Sequence, residues 1–293
     1  MKLENGFYTA LGTPLTADGK IIESSLIKHI DAQIEAGASG LLLMGSMGIE
    51  AAIAHSEYKK VVDIGIKAVN KRVPLFVGAM DNSIARVRER IEMIGKGKAI
   101  DGIVLTVPFY AIPREIDAIS WFTQLADISP YPVFLYDLGV VTQFRISMNL
   151  IDAVISHPNI KGIKSANWEL IKAVERKYPD ADFECLYSGL DSFDHANLLG
   201  IKKNLDGMFA CTPKNAKLMY ECAAKGDIAG IRHYLDRILL LRDTMIDHGL
   251  MRCFTYCMNA LGVEGNFHQD YTAPTSDKAK DVMIETLKQI GEL

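Results

Sequence analysis

Lys164 ends the run Ile160-Lys161-Gly162-Ile163-Lys164. In a strand it shares a face with Gly162, opposite Ile163. If that face is the inside of a barrel, the amine sits in a narrow, poorly hydrated space. Desolvation favours a neutral amine, and a neutral amine can attack a ketone. A solvated lysine at a strand end is the plain alternative. Tyr136 closes the preceding apolar run, Pro132-Val133-Phe134-Leu135-Tyr136, 28 residues before Lys164. A phenol beside an imine-forming lysine can carry protons. A core tyrosine with its hydroxyl at the rim fits the same position. Gly45-Ser46-Met47-Gly48 sets two glycines around a hydroxyl. Backbone N–H groups in such a turn can converge on an anion such as a carboxylate, although Gly-x-x-Gly is common in turns.

These residues end short apolar runs that recur along the chain. The runs are 6–11, 40–44, 73–78, 102–106, 133–136, 160–164, 183–187 and 207–210. Each is too short for a buried helix and reads as a strand. Helical patterns separate them: 24–36, 57–69, 86–94, 116–128, 148–155, 170–177, 192–199 and 215–224. Eight strand–helix units in one chain predict a (β/α)8 TIM barrel over residues 1–224. Residues 225–293 read as a C-terminal extension of helices packed on it. Chemistry in such a barrel sits at the C-terminal strand ends, which is where Ser46, Tyr136 and Lys164 fall.

The composition excludes several classes. Apolar residues make up 49% and charged residues 23% of the 293, a globular balance. A net charge of -4 gives no case for nucleic acid, and no apolar run is long enough for a membrane span or a signal peptide. Five cysteines without a Cys-x-x-Cys pair fit a reduced, cytoplasmic setting. The histidines show no metal-ligand spacing, and no phosphate-binding Gly-x-Gly-x-x-Gly occurs.

Five segments in register resemble the dihydrodipicolinate synthase / N-acetylneuraminate lyase family of Schiff-base pyruvate aldolases. They are Gly45-Ser46-Met47-Gly48, Pro108-Phe109-Tyr110, Tyr136-Asp137, Gly162-Ile163-Lys164 and Ser188-Gly189-Leu190-Asp191. The resemblance covers the chain from about residue 5 to 291. It implies that Lys164 forms an imine with pyruvate or a related 2-oxo acid, and that Tyr136 shuttles protons. Ser46 would link Tyr136 to Tyr110 in a relay. Tyr110 would come from a neighbouring subunit, in a homotetramer built as a dimer of dimers. The N–H groups of Ser46 and Met47 would hold the carboxylate. Gly189, Asp191 and Asp137 become substrate-binding candidates, and Phe209, in the eighth strand, would line the pyruvate pocket. The resemblance implies no metal or organic cofactor.

Departures from the family pattern bear on the substrate. Met47 replaces a hydroxyl, and Ile49 stands where most members carry Glu, leaving Glu50 one place on and facing elsewhere. Val141 occupies the place of the arginine with which the synthases grip the carboxylate of their aldehyde; valine cannot make that contact. Ala166 and Ser192 replace residues typical of sialic acid lyase. The leading expectation is therefore a lyase for a sialic acid or 2-keto-3-deoxy sugar acid. Asp137, Thr142, Ser165, Asn167, Asp191 and Thr212 are available for sugar hydroxyls. The alternative is a divergent 4-hydroxy-tetrahydrodipicolinate synthase or related dehydratase, with Arg145 as substitute cation. A keto-acid-binding regulator without turnover would not need the relay. A barrel for phosphorylated sugars would need a glycine pair that Cys211-Thr212-Pro213 lacks.

Overall fold

A computed structural model describes residues 2–293. Eight parallel strands close into one barrel in chain order. They are β1 (Gly6–Ala10), β2 (Gly40–Leu43), β3 (Leu75–Gly78), β4 (Gly102–Leu105), β5 (Val133–Asp137), β6 (Ile160–Ser165), β7 (Glu184–Tyr187) and β8 (Lys203–Asp206). The helices between them are α1 (Glu23–Glu35), α2 (His55–Val69), α3 (Ile84–Ile94), α4 (Glu115–Ile128), α5 (Gly139–Thr142), α6 (Met148–Val154), α7 (Trp168–Lys177) and α8 (Phe193–Leu198). Then come α9 (Pro213–Lys225), α10 (Ile228–His248), α11 (Leu250–Ala260) and α12 (Asp277–Gln289). The architecture is the expected TIM barrel with C-terminal helices. Among the described residues no helix is long and apolar enough to cross a membrane.

Strand alternation splits the apolar residues into two clusters. Tyr8, Leu42, Phe76, Val104, Phe134 and Leu205 fill the barrel interior. Phe7, Leu41, Val77, Ile103, Leu135 and Ile163 face outward and join the helices. Both strand faces are thus buried, so the runs read as continuous apolar segments. Gly162 is demanded by this packing: a Cβ there would strike the Phe134 ring and the Glu184 carbonyl.

The eighth strand differs from the expectation. It is Lys203–Asp206, and the run 207–210 follows it, with Met208–Ala210 as a 3-10 turn. Asp206 accepts a hydrogen bond from the Met208 N–H at 2.8 Å and starts that turn. The true strand has one aliphatic residue, Leu205, which faces the interior. Lys203 is instead neutralised by an ion pair with Glu184 on the neighbouring strand.

Candidate active site

Strand register brings the central pair together. Tyr136 on β5 pairs directly with Lys164 on β6, at the C-terminal end of the barrel. Both point inward and are 5% exposed. The Lys164 Nζ lies 3.7 Å from the Tyr136 ring centroid. Lys164 has no carboxylate within 4.0 Å among the described residues, so no ion pair occupies the amine. The Tyr136 hydroxyl is 3.2 Å from Ser46 Oγ, which the turn after β2 presents. These three side chains, with Met47, Arg145 and Met208, line a cavity of about 300 Å3. Gly207 leaves room for Met47, whose side chain a Cβ there would strike.

Not every expected residue reaches this cavity. Tyr110 is 92% exposed and projects from the turn after β4, away from its own subunit's cavity. Phe209 is fully buried outside the barrel, edge-on to Phe7 at 5.5 Å. Met208 takes the wall position expected of Phe209, because the strand ends earlier and the 3-10 turn rotates the next side chain outward. Gly189 packs against the Tyr187 side chain, while Ser188 lies on the wall. Asp191 is not on the wall; both its oxygens accept from Arg242, at 2.6 and 2.7 Å. That guanidinium holds the Asp191 carboxyl below the usual range.

Asp137 lines the cavity, but its oxygens are engaged. Oδ1 accepts from the Ile146 N–H at 3.1 Å, and Oδ2 accepts from Ser165 Oγ at 2.7 Å. Thr142 donates to carbonyls in its own loop, Asn167 caps α7, and Thr212 donates to Met208 O. Polar residues expected to meet sugar hydroxyls therefore hold loops.

Charges that sequence reasoning underweighted stand at the cavity. Arg145 folds across Gly139 and reaches the wall, 61% exposed, with Asp137 Oδ2 3.8 Å from its Nη1. Arg242 comes from α10, so the C-terminal helices contribute to the site. Asp206 also lines it; burial raises its carboxyl above the usual range, opposed by the charges of Lys164 and Arg242. No local motif marks Arg242. Asp206 was hidden by the misplaced strand.

Glu50 does not line this cavity and turns into the protein instead. It is buried, and its Oε1 lies 2.9 Å from Arg90 Nη1. Burial pushes the Glu50 carboxyl up to about 8, with Arg90 opposing. Beside Ser46, a second cavity of about 180 Å3 is lined by Ile49, Glu50, Thr106, Phe109 and Val141.

Residues 4–290 match the model of the dihydrodipicolinate synthetase family. The chain belongs to this family. It is thus an enzyme, a pyruvate-dependent lyase of the class I aldolase kind. Family members work through a covalent Schiff base on a lysine, with no metal. A 4-hydroxy-tetrahydrodipicolinate synthase of Acidiphilium cryptum is 28% identical over 99% of both chains. One of Syntrophotalea carbinolica is 34% identical over 57% of each. The fold matches YagE, a prophage protein of the dihydrodipicolinic acid synthase family from E. coli K12, solved with pyruvate. That match has a TM-score of 0.88 and 24% identity over 99% of each chain. The pyruvate-complexed dihydrodipicolinate synthase of Acinetobacter baumannii matches with a TM-score of 0.89 and 20% identity over 100% of each.

Proposed function

We propose that Lys164 forms an imine with pyruvate, and that the enzyme joins the resulting enamine to an aldehyde bearing a carboxylate. This is 4-hydroxy-tetrahydrodipicolinate synthase-type chemistry, the activity named for the relatives. The observation that carries it is the unpaired Lys164 amine over Tyr136, with Arg145 on the same cavity wall. The amine attacks the keto carbon, and the adduct takes up a proton and loses water to give a protonated imine. Tyr136 removes a methyl proton to form the enamine and later protonates the new alkoxide. The N–H groups of Ser46 and Met47 hold the pyruvate carboxylate. Arg145 meets the second carboxylate, the task Val141 cannot perform.

Tyr110 completes the relay from a second copy of the chain, inserting its phenol into the apolar cavity beside Ser46. Its exposure supports this reading, since an isolated subunit leaves it unused. The assembly is a tetramer built of tight dimers, working in the cytoplasm. Residues 1–224 form the catalytic barrel and 225–293 the helices packed on it.

A second reading, cleavage of a sugar acid to pyruvate and a neutral aldehyde, is favoured by Val141 and by Ser188 on the cavity wall. Borohydride trapping with pyruvate, followed by peptide mapping, tests the shared step. A reduced adduct on Lys164 is expected; folded enzyme that traps no 2-oxo acid sinks both readings. Turnover with carboxylated against neutral polyhydroxy aldehydes then separates them.

A further inference from the structure

A chain of contacts crosses the top of the barrel from the Ser46 turn to the Tyr110 turn. At one end, Ile49 donates its N–H to Ser46 O at 3.1 Å, with φ at 47°. That left-handed conformation is costly for a β-branched residue and persists only where surroundings impose it. It swings the next residue, Glu50, into the protein, where Arg90 Nη1 stands 2.9 Å from Oε1. Arg90, on α3, also binds Asp81 Oδ2 through Nη2 at 3.0 Å and stacks 5.1 Å over the Tyr58 ring. Asp81 Oδ1 accepts from the Asn82 N–H at 2.7 Å and from Arg86 Nε at 2.6 Å. At the other end, Asn82 Oδ1 accepts two backbone N–H groups, Phe109 at 2.9 Å and Tyr110 at 2.8 Å.

We propose that Glu50, Arg90, Asp81 and Asn82 form a positioning bridge. It fixes the Ser46 turn relative to the Tyr110 turn, so that Ser46 in its own subunit's site and Tyr110 in the neighbour's are each held in place for proton transfer. The inference rests on the relay reading above. None of the four touches the imine, so they act through Ser46 and Tyr110. Three of them, Glu50, Arg90 and Asp81, are at most 5% exposed in their side chains, so packing confines them even at the Glu50–Arg90 contact, which is an ion pair without hydrogen-bond geometry. Misplacing a proton donor by a fraction of an ångström costs turnover while leaving binding in place. Because Tyr110 serves a neighbouring subunit, the bridge ties the geometry of one site to that of the next.

The test separates imine formation from proton transfer and needs no aldehyde. Imine formation is read as equilibrium borohydride trapping of pyruvate. Proton transfer is read as deuterium exchange into the pyruvate methyl group in D2O. The Glu50→Gln and Asn82→Ala variants should trap pyruvate to the wild-type extent, yet exchange at least about tenfold more slowly. Asn82→Asp, which keeps the acceptor, should restore most of the exchange rate. The double variant should lose little more than the worse single one, since both act on one connection. Asn82 is half-buried and carries no buried charge, so its variants stay informative if Glu50→Gln folds poorly. Unchanged exchange in Asn82→Ala, or losses that multiply in the double variant, overturns the bridge. If wild-type enzyme does not trap pyruvate at all, the functional reading fails instead.

Discussion

The Lys164 amine stands over the ring of Tyr136, 3.7 Å from its centroid, while the hydroxyl of the same tyrosine reaches Ser46 at 3.2 Å. One side chain thus serves two neighbours. On the proposed mechanism its face stabilises the positive charge of the protonated imine, and its hydroxyl passes the proton on. Tyr136→Phe keeps the face and removes the edge. We expect that variant to trap pyruvate on Lys164 at equilibrium, with methyl deuterium exchange about 100- to 10,000-fold slower. Exchange at the wild-type rate would remove Tyr136 from the relay.

Tyr110 gives a prediction about subunits. Lys164→Ala enzyme lacks the nucleophile, and Tyr110→Phe enzyme lacks the donor. If the donor crosses between subunits, some sites in mixed oligomers are intact. Mixing the two after dissociation and reassembly should regain exchange activity that neither shows alone. No recovery in verified mixed oligomers means that Tyr110 acts within its own subunit or not at all.

The fold was legible because parallel strands in a barrel are buried on both faces. Seven of the eight strands stand out as apolar runs for that reason. The eighth did not, because Lys203 and Asp206 are made tolerable by an ion pair and by a turn contact. The error moved Phe209 onto the pocket wall and hid Met208 and Asp206. Lys164, Tyr136 and Ser46 meet at one cavity because strand ends converge by topology, wherever the strand begins. Arg242 was out of reach, since a helix outside the repeating units delivers it to the cavity. Glu50 stays off the main cavity wall, but its burial against Arg90 was not legible, because only the left-handed backbone of Ile49 turns it inward.

Arg145 separates the two substrate classes. Its guanidinium reaches the cavity, and its nearest carboxylate contact, Asp137, lies at 3.8 Å, too long for a direct hydrogen bond. It is therefore free to take a substrate carboxylate as a bidentate pair. Arg145→Met should raise KM for a carboxylated aldehyde about 10- to 100-fold and leave pyruvate trapping unchanged, the scale of one lost charged contact of about 1.5–3 kcal/mol. Equal kinetics with the variant would return weight to the neutral sugar-derived aldehyde.

His29 makes one contribution to the acid sensitivity of the fold. It is 1% exposed on α1, its Nε2 has no hydrogen-bond partner, and the Phe267 ring stands edge-on at 6.4 Å. Burial lowers its pKa from 6.5 to about 3. Between those values the unfolded chain binds a proton at His29 that the folded chain refuses. Stability from this group is therefore intact above pH 6.5 and is lost progressively as pH falls toward 3. The loss approaches about 1.4 kcal/mol per pH unit in that window. His29→Met has no proton to bind in either state. Whatever its stability at pH 7.5, the variant should gain on the wild type as pH drops toward 4.5. Denaturant midpoints for both proteins across that range would show it. A constant difference between the two curves would mean that His29 titrates alike in both states, and that water or a local opening reaches the ring.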